Sequence, residues 1–117
     1  MNRFERRRER TRQELVAAAV RVLAEKGLHD TKIADIAAAA DIGVGTFYLH
    51  FPTKEALFDA VVEETVARFK ATVDAARERE TDPIAQMRAS TAAFCRFAHE
   101  NREVFQIVFG HAAAYND

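Results

Sequence analysis

The sequence predicts an all-α protein. Its expected architecture is a three-helix helix-turn-helix unit, a long connecting helix, and the beginning of a further helical domain. Three features carry that expectation. Apolar residues recur at the spacing of a single helix face in segment after segment. Gly27, Pro52 and Pro83 punctuate those segments where helices should stop or start. Residues 31–54, TKIADIAAAADIGVGTFYLHFPTK, place two short helices on either side of a tight turn.

The first helix has Leu15, Ala18, Ala19, Val22 and Leu23 on one stripe. It is expected to run to about Lys26, with Gly27 as its C-terminal cap. Leu28-His29-Asp30 then reads as a link, with His29 facing solvent. In the second helix Ile33, Ile36, Ala37 and Ala40 fall at i, i+3, i+4 and i+7. Thr31, just ahead, is expected to accept from its first free N–H groups. Asp41-Ile42-Gly43 breaks the pattern, because Asp tolerates a left-handed backbone and Gly43 can open the next helix at no steric cost. The third helix puts Phe47 and Phe51 one turn apart on a buried side, and Pro52 closes it. Its other residues pair by the same spacing as Val44 with Tyr48, Gly45 with Leu49, and Thr46 with His50. A helix with this face laid in a major groove would present Val44, Gly45, Tyr48 and Leu49 to DNA.

Thr53 can cap a fourth helix, which starts near Lys54 and carries its stripe through Leu57, Val61, Val66, Phe69 and Val73 towards Arg79. The polar run Arg77-Glu78-Arg79-Glu80-Thr81-Asp82 ends it, and Asp82-Pro83 reads as an N-cap followed by proline at the first helical position. The helix from Pro83 to about His99 places Ile84, Met87, Thr91, Phe94 and Ala98 on one side. A last element, from Asn101 to about His111, has Val104, Phe105, Val108 and Phe109 as its apolar positions. The expected domains are residues 1–52 and 53–117.

The net charge of −1 conceals an asymmetry. Residues 1–54 hold 10 Lys/Arg and 7 Asp/Glu, an excess of +3, while residues 55–117 hold 7 and 11, an excess of −4. A surface for a polyanion therefore belongs in the N-terminal half. Six arginines, Arg3, Arg6, Arg7, Arg8, Arg10 and Arg12, crowd the first turns. A charge run of this kind is ordinarily a solvated face. No apolar run approaches the roughly 20 residues of a membrane span, and MNRFERRRER lacks the apolar core of a secretory signal. With the single cysteine Cys95, no internal disulfide can form, and a reducing cytoplasm is the expected compartment.

Ile36-Ala37, Ala40, Gly45-Thr46-Phe47-Tyr48, His50-Phe51 and Lys54-Glu55-Ala56-Leu57-Phe58 together resemble the DNA-binding domain of the tetracycline-repressor (TetR) family of bacterial transcription regulators. The resemblance implies a repressor bound to double-stranded operator DNA and released by a small-molecule effector. It implies a homodimer in the full-length form, no cofactor, and a ligand-binding and dimerisation domain of which this chain holds only the start, as in a truncated protein or a fragment. It assigns Tyr48, His50 and Lys54 largely to phosphates and Thr46 to the backbone or base edges. It also sets the arginine run, Arg6 and Arg10 included, beside the DNA backbone. Thr31 can donate its hydroxyl to a phosphate, and Lys32 is a further candidate. Three positions depart from the family pattern: Asp41 for the usual glycine of the turn, Gly43 for a serine cap, and Val44 for a polar residue.

Residues 42–51 contain no Arg, Asn or Gln, so base preference is expected to rest on apolar contact with thymine methyls, close approach at Gly45, Thr46 and DNA shape. By the resemblance, Phe69, Met87, Phe94, Phe97, Phe105 and Phe109 are candidates for an effector-pocket wall; as a bare inventory they read as core. Cys95 and His99 share a face but make no metal site with two ligands. Enzymatic readings lack support. Gly43-Val44-Gly45 lies inside the helix-turn-helix and not after a strand, and no serine has a plausible base. The alternative is a helical interaction or dimerisation module without DNA affinity, favoured by the acidic second half and the apolar third helix.

Overall fold

The computed structural model describes residues 2–107. Among them run α1 (Arg3–Asp30), α2 (Ile33–Ala39), α3 (Val44–His50), α4 (Lys54–Glu78) and α5 (Pro83–Glu100). Residues 102–107 are helical as well, and no strand occurs among the described residues. The expected positions Val108, Phe109 and His111 lie outside the described residues. No described helix is long and apolar enough to cross a membrane.

The helix starts follow local chemistry. The Asn2 side chain accepts the Glu5 N–H at 2.8 Å and the Glu5 carboxylate accepts the Asn2 N–H at 3.4 Å, a reciprocal cap that orders the arginine-rich end of α1. Thr53 Oγ1 accepts the Ala56 N–H at 3.0 Å to open α4, and Asp82 accepts the Ala85 N–H at 3.0 Å ahead of Pro83 to open α5. α1 is regular to Lys26, kinks at Gly27 (φ 79°, ψ 169°), and turns helical again to Asp30.

The start of α2 differs from expectation. Thr31 does not cap it; the helix begins from Lys32, whose N–H donates to the Asp35 carboxylate at 3.1 Å. Thr31 is instead the C-terminal cap of α1, only 1% exposed, and its hydroxyl donates to the Gly27 carbonyl at 2.6 Å. The helical residues 28–30 beyond the kink bring that carbonyl one turn behind Thr31, and a buried hydroxyl takes the nearest acceptor.

The corner between α2 and α3 closes as the sequence suggests. Ile42 N–H donates to the Ala37 carbonyl at 3.0 Å and Asp41 N–H to the Ala38 carbonyl at 3.1 Å. That pair of bonds is a Schellman ending, with Asp41 (φ 59°) in the left-handed position glycine usually holds.

The described residues divide into two compact units, one up to Val62 and one from Glu63 onward. In the first, α2 packs against both α1 and α3. Its core is Leu15, Ala18, Ala19, Val22 and Leu23 from α1, Ile36 and Ala37 from α2, and Phe47 and Phe51 from α3 and its end, with Leu57, Phe58, Ala60 and Val61. The boundary expected at 52/53 therefore moves to 62/63, because the first turns of α4 bury apolar side chains within this unit.

In the second unit Ala93 and Phe97 are the buried face of α5, joined by Val104. Ile84, Met87 and Phe94, which share the other side of α5, are exposed. The helix carries apolar residues on two faces; the face with Ala93 and Phe97 is the buried one, while Phe94, 44% exposed, still sets its ring against Phe69.

Candidate nucleic-acid interface

The third helix is positioned from behind. Phe47 is 0% exposed and Phe51 is 2% exposed, their ring centres 5.9 Å apart. The Phe51 N–H donates to the Phe47 carbonyl at 2.9 Å, holding the end of α3 against the core before Pro52 diverts the chain. With that side sealed, helical spacing forces the opposite side outward. Leu49 is 74% exposed, Tyr48 47% and Val44 43%, and Gly45 and Thr46 are exposed as well. The Tyr48 ring rests edge-on against Phe47, with centroids 5.5 Å apart, which fixes its direction. Gly43 caps this helix without a side-chain bond, so its first N–H groups are left to other acceptors.

The N-terminal turns of α1 lie alongside. Phe4, Arg7, Arg8 and Thr11 from α1 face Leu49 and His50 of α3 across a shallow groove. The Arg12 guanidinium sits 5.1 Å above the Phe51 ring, a cation–π contact that pins a positive charge at the end of α3. Burial, and then the positive charges of Arg8 and Arg12, hold the His50 imidazole below its ordinary value of 6.5.

The expected arginines were Arg6 and Arg10. Each stands two residues from Arg8, about 200° around the helix, and so projects from its other side. The basic residues brought to α3 are Arg7, Arg8 and Arg12. The signal that could have found them is Phe4, the one apolar residue in the run, which is itself 75% exposed but lines the groove beside α3 at i−4 from Arg8.

Two other expected contacts sit differently. Thr31 is buried with its hydroxyl donated, so it has no surface to offer a phosphate. The Lys54 ammonium donates to the Thr31 carbonyl at 2.8 Å in a part-buried site. Lys32 is exposed, as is Asp41 in the turn.

In the second unit, Phe69 has the rings of Phe94, Phe97 and Phe105 around it at 5.3, 5.6 and 6.1 Å. The Phe94 and Phe97 rings meet Phe69 edge-on and the Phe105 ring is tilted at 59°, with Phe97 buried and Phe94 44% exposed. Met87 lies exposed, and Phe109 is outside the described residues. A shallow groove on this unit mixes Arg68, Thr72, Arg96, Glu100 and Asn101 with Ala71, Ala93 and Phe97. Among the described residues no three His, Cys, Asp or Glu side chains come together as a metal site.

A sealed back, an exposed third helix and basic turns beside it define a helix-turn-helix protein. Residues 15–61 match the family described as bacterial regulatory proteins, tetR family, and over this region the chain is similar to that family. Its fold is similar to that of a TetR family transcription regulator from Marinobacter aquaeolei VT8, with a TM-score of 0.78, 25% identity, and 93% of this chain and 58% of that one covered. It is 26% identical over 110 residues to the nucleoid occlusion factor SlmA of Actinobacillus pleuropneumoniae, covering 94% of this chain and 54% of that protein. It is 35% identical over 72 residues to the HTH-type transcriptional repressor DhaR of Mycobacterium sp. strain GP1, covering 62% and 36%. The chain thus spans about half the length of its first curated relatives.

Proposed function

We propose that this chain is the DNA-reading part of a cytoplasmic transcriptional repressor that occupies operator DNA and leaves it when a small-molecule effector binds. The observation that carries the reading is the outward face of α3. Val44, Tyr48 and Leu49 stand exposed while Phe47 and Phe51 hold the helix from behind. A helix so presented enters a major groove, with Gly45 and Thr46 at closest approach. Tyr48, His50, Arg7 and Arg8 then meet phosphates on either side. Repression and dimerisation are supported by the family and by the name of the repressor DhaR. Two copies related by a two-fold axis would read half-sites about one helical turn apart.

Titration of duplexes at two salt concentrations tests this reading. Affinity should fall steeply with salt, because phosphate contacts release counterions. Tyr48→Ala should weaken binding to all sequences alike, by about tenfold, the worth of one hydrogen bond to a charged group. Val44→Ala and Leu49→Ala should instead change which sequences are selected from a random pool. Absence of binding at both salt concentrations would favour a protein-only interaction module.

A further inference from the structure

Within the second unit, the facing sides of α4 and α5 form one continuous groove. Its floor is small: Ala71 and Ala75 from α4 and Ala93 from α5. Arg68 lines one half and Arg79 the other, both from α4, while Arg96 of α5 lines both. From Arg68 to Arg79 is about three helical turns, so both leave the same side of α4, about 16 Å apart along its axis. Positive charge gathers here against the trend of the chain. Residues 55–117 hold 7 Lys/Arg and 11 Asp/Glu, yet the charged residues lining the groove are Arg68, Arg79, Arg96 and the single acid Glu100. Among the described residues neither Arg79 nor Arg96 has an ion pair. Arg68 is set in place: its guanidinium lies 5.6 Å above the Phe97 ring, its Nε donates to Glu64 at 3.1 Å and its Nη2 to Asn101 Oδ1 at 3.3 Å. Those bonds use two of its five N–H donors and leave the others for a ligand. An arginine held this way loses little side-chain freedom on binding.

We propose that this groove docks an acidic peptide segment of a partner protein. Carboxylates of the segment engage Arg79 and Arg96, with Arg68 as the ordered third anchor, while small apolar side chains between them settle on the alanines. The span of about 16 Å is that of about five residues of extended chain. A small carboxylate fits less well, because a shallow groove leaves it open to water where a ligand pocket would bury most of it. A duplex fits worse still. Glu100 lines the groove and Glu64 sits beside Arg68, and each repels an unbroken row of phosphates. A peptide can place neutral residues opposite both. All of these residues lie in the second unit, so the inference is independent of the DNA-binding reading.

The experiment selects displayed random peptides of about ten residues, twice that span, on the full chain. The retained pool should be enriched in sequences with several Asp or Glu separated by small or apolar residues. A synthetic peptide from the pool should bind about tenfold more weakly to Arg79→Ala and to Arg96→Ala, the worth of one hydrogen bond to a charged group. Both arginines are exposed, so each variant should keep the parent's thermal midpoint. Replacing the peptide's carboxylates by amides should abolish binding, and Tyr48→Ala in the first unit should leave it unchanged. A pool without acidic enrichment, or a peptide bound by Arg79→Ala and Arg96→Ala as tightly as by the parent, would overturn the proposal. A generic duplex that displaces the peptide and binds Arg96→Ala more weakly than the parent would overturn it as well, in favour of a second nucleic-acid surface.

Discussion

His50 shows how a single side chain records its neighbours. Burial comes first, then Arg8 and Arg12, and all three disfavour the imidazolium, so its value in the fold lies below 6.5. In the unfolded chain the same ring protonates near 6.5. Between those two values the unfolded state binds more protons, so stability rises with pH across that window. The stabilising contribution is fully present above 6.5 and is lost as pH falls through the folded value. Thermal midpoints measured from about pH 8 to about pH 5.5 should fall further in the parent than in His50→Gln. A constant gap between the two proteins would show that His50 titrates as it does in the unfolded chain. Duplex affinity should move the other way, because a phosphate beside His50 favours its protonated form. At this scale the sequence was legible wherever an apolar neighbour fixed a direction. Phe47 and Phe51 pointed inward, so Tyr48 and Leu49 had to point out. The arginine run offered only one such marker, Phe4, and the side chains beside α3 proved to be those sharing its side of the helix. Thr31 misled because a threonine ahead of a helix reads as an N-cap, and nothing local reveals that its hydroxyl has a carbonyl behind it.

Helix ends among the described residues depend on two left-handed backbone positions that the sequence fills differently. Gly27 occupies φ 79° and ψ 169°, a region essentially restricted to glycine. A Cβ added there meets nothing within 4 Å, so the penalty of Gly27→Ala is one of backbone conformation alone. It should destabilise the first unit by about 1–3 kcal/mol. Asp41 holds φ 59° at the end of α2, where glycine is freer. Asp41→Gly should therefore stabilise the same unit by up to about 1 kcal/mol and remove a negative charge from the turn. Chemical denaturation of the two variants checks both signs, and a stabilising Gly27→Ala would contradict the role given to the kink. Element starts and stops were legible because caps are local: Thr53, Asp82 and Pro83 act within one turn of themselves. The packing side of α5 was not. Ile84, Met87, Thr91 and Phe94 make as good a stripe as Ala93 with Phe97, and only contacts with other elements choose between them.

The division of the whole chain followed the same limit. A break was expected at Pro52, where the local signal is strongest, yet the first unit extends to Val62 because Leu57, Phe58, Ala60 and Val61 complete its core. A domain edge is set by which side chains share a core, and a helix can begin in one core and end in another without any mark in its sequence. Each unit has its own aromatic centre, Phe47 with Phe51 in the first and Phe69, Phe94, Phe97 and Phe105 in the second. Phe97→Ala should remove about 3–5 kcal/mol from the second unit, the usual loss for a buried phenylalanine. Hydrogen exchange resolved by residue should then show faster opening within 63–107, with Leu15, Ile36 and Phe47 still protected. Duplex binding should survive in Phe97→Ala, because every residue placed at the α3 surface lies within the first unit. Phe47→Ala should do the reverse, opening the first unit and abolishing binding while the amides around Phe97 keep their protection. Loss of protection across both units in either variant would mean that the continuous α4 makes them unfold together, and the reading surface would then depend on the integrity of the entire chain.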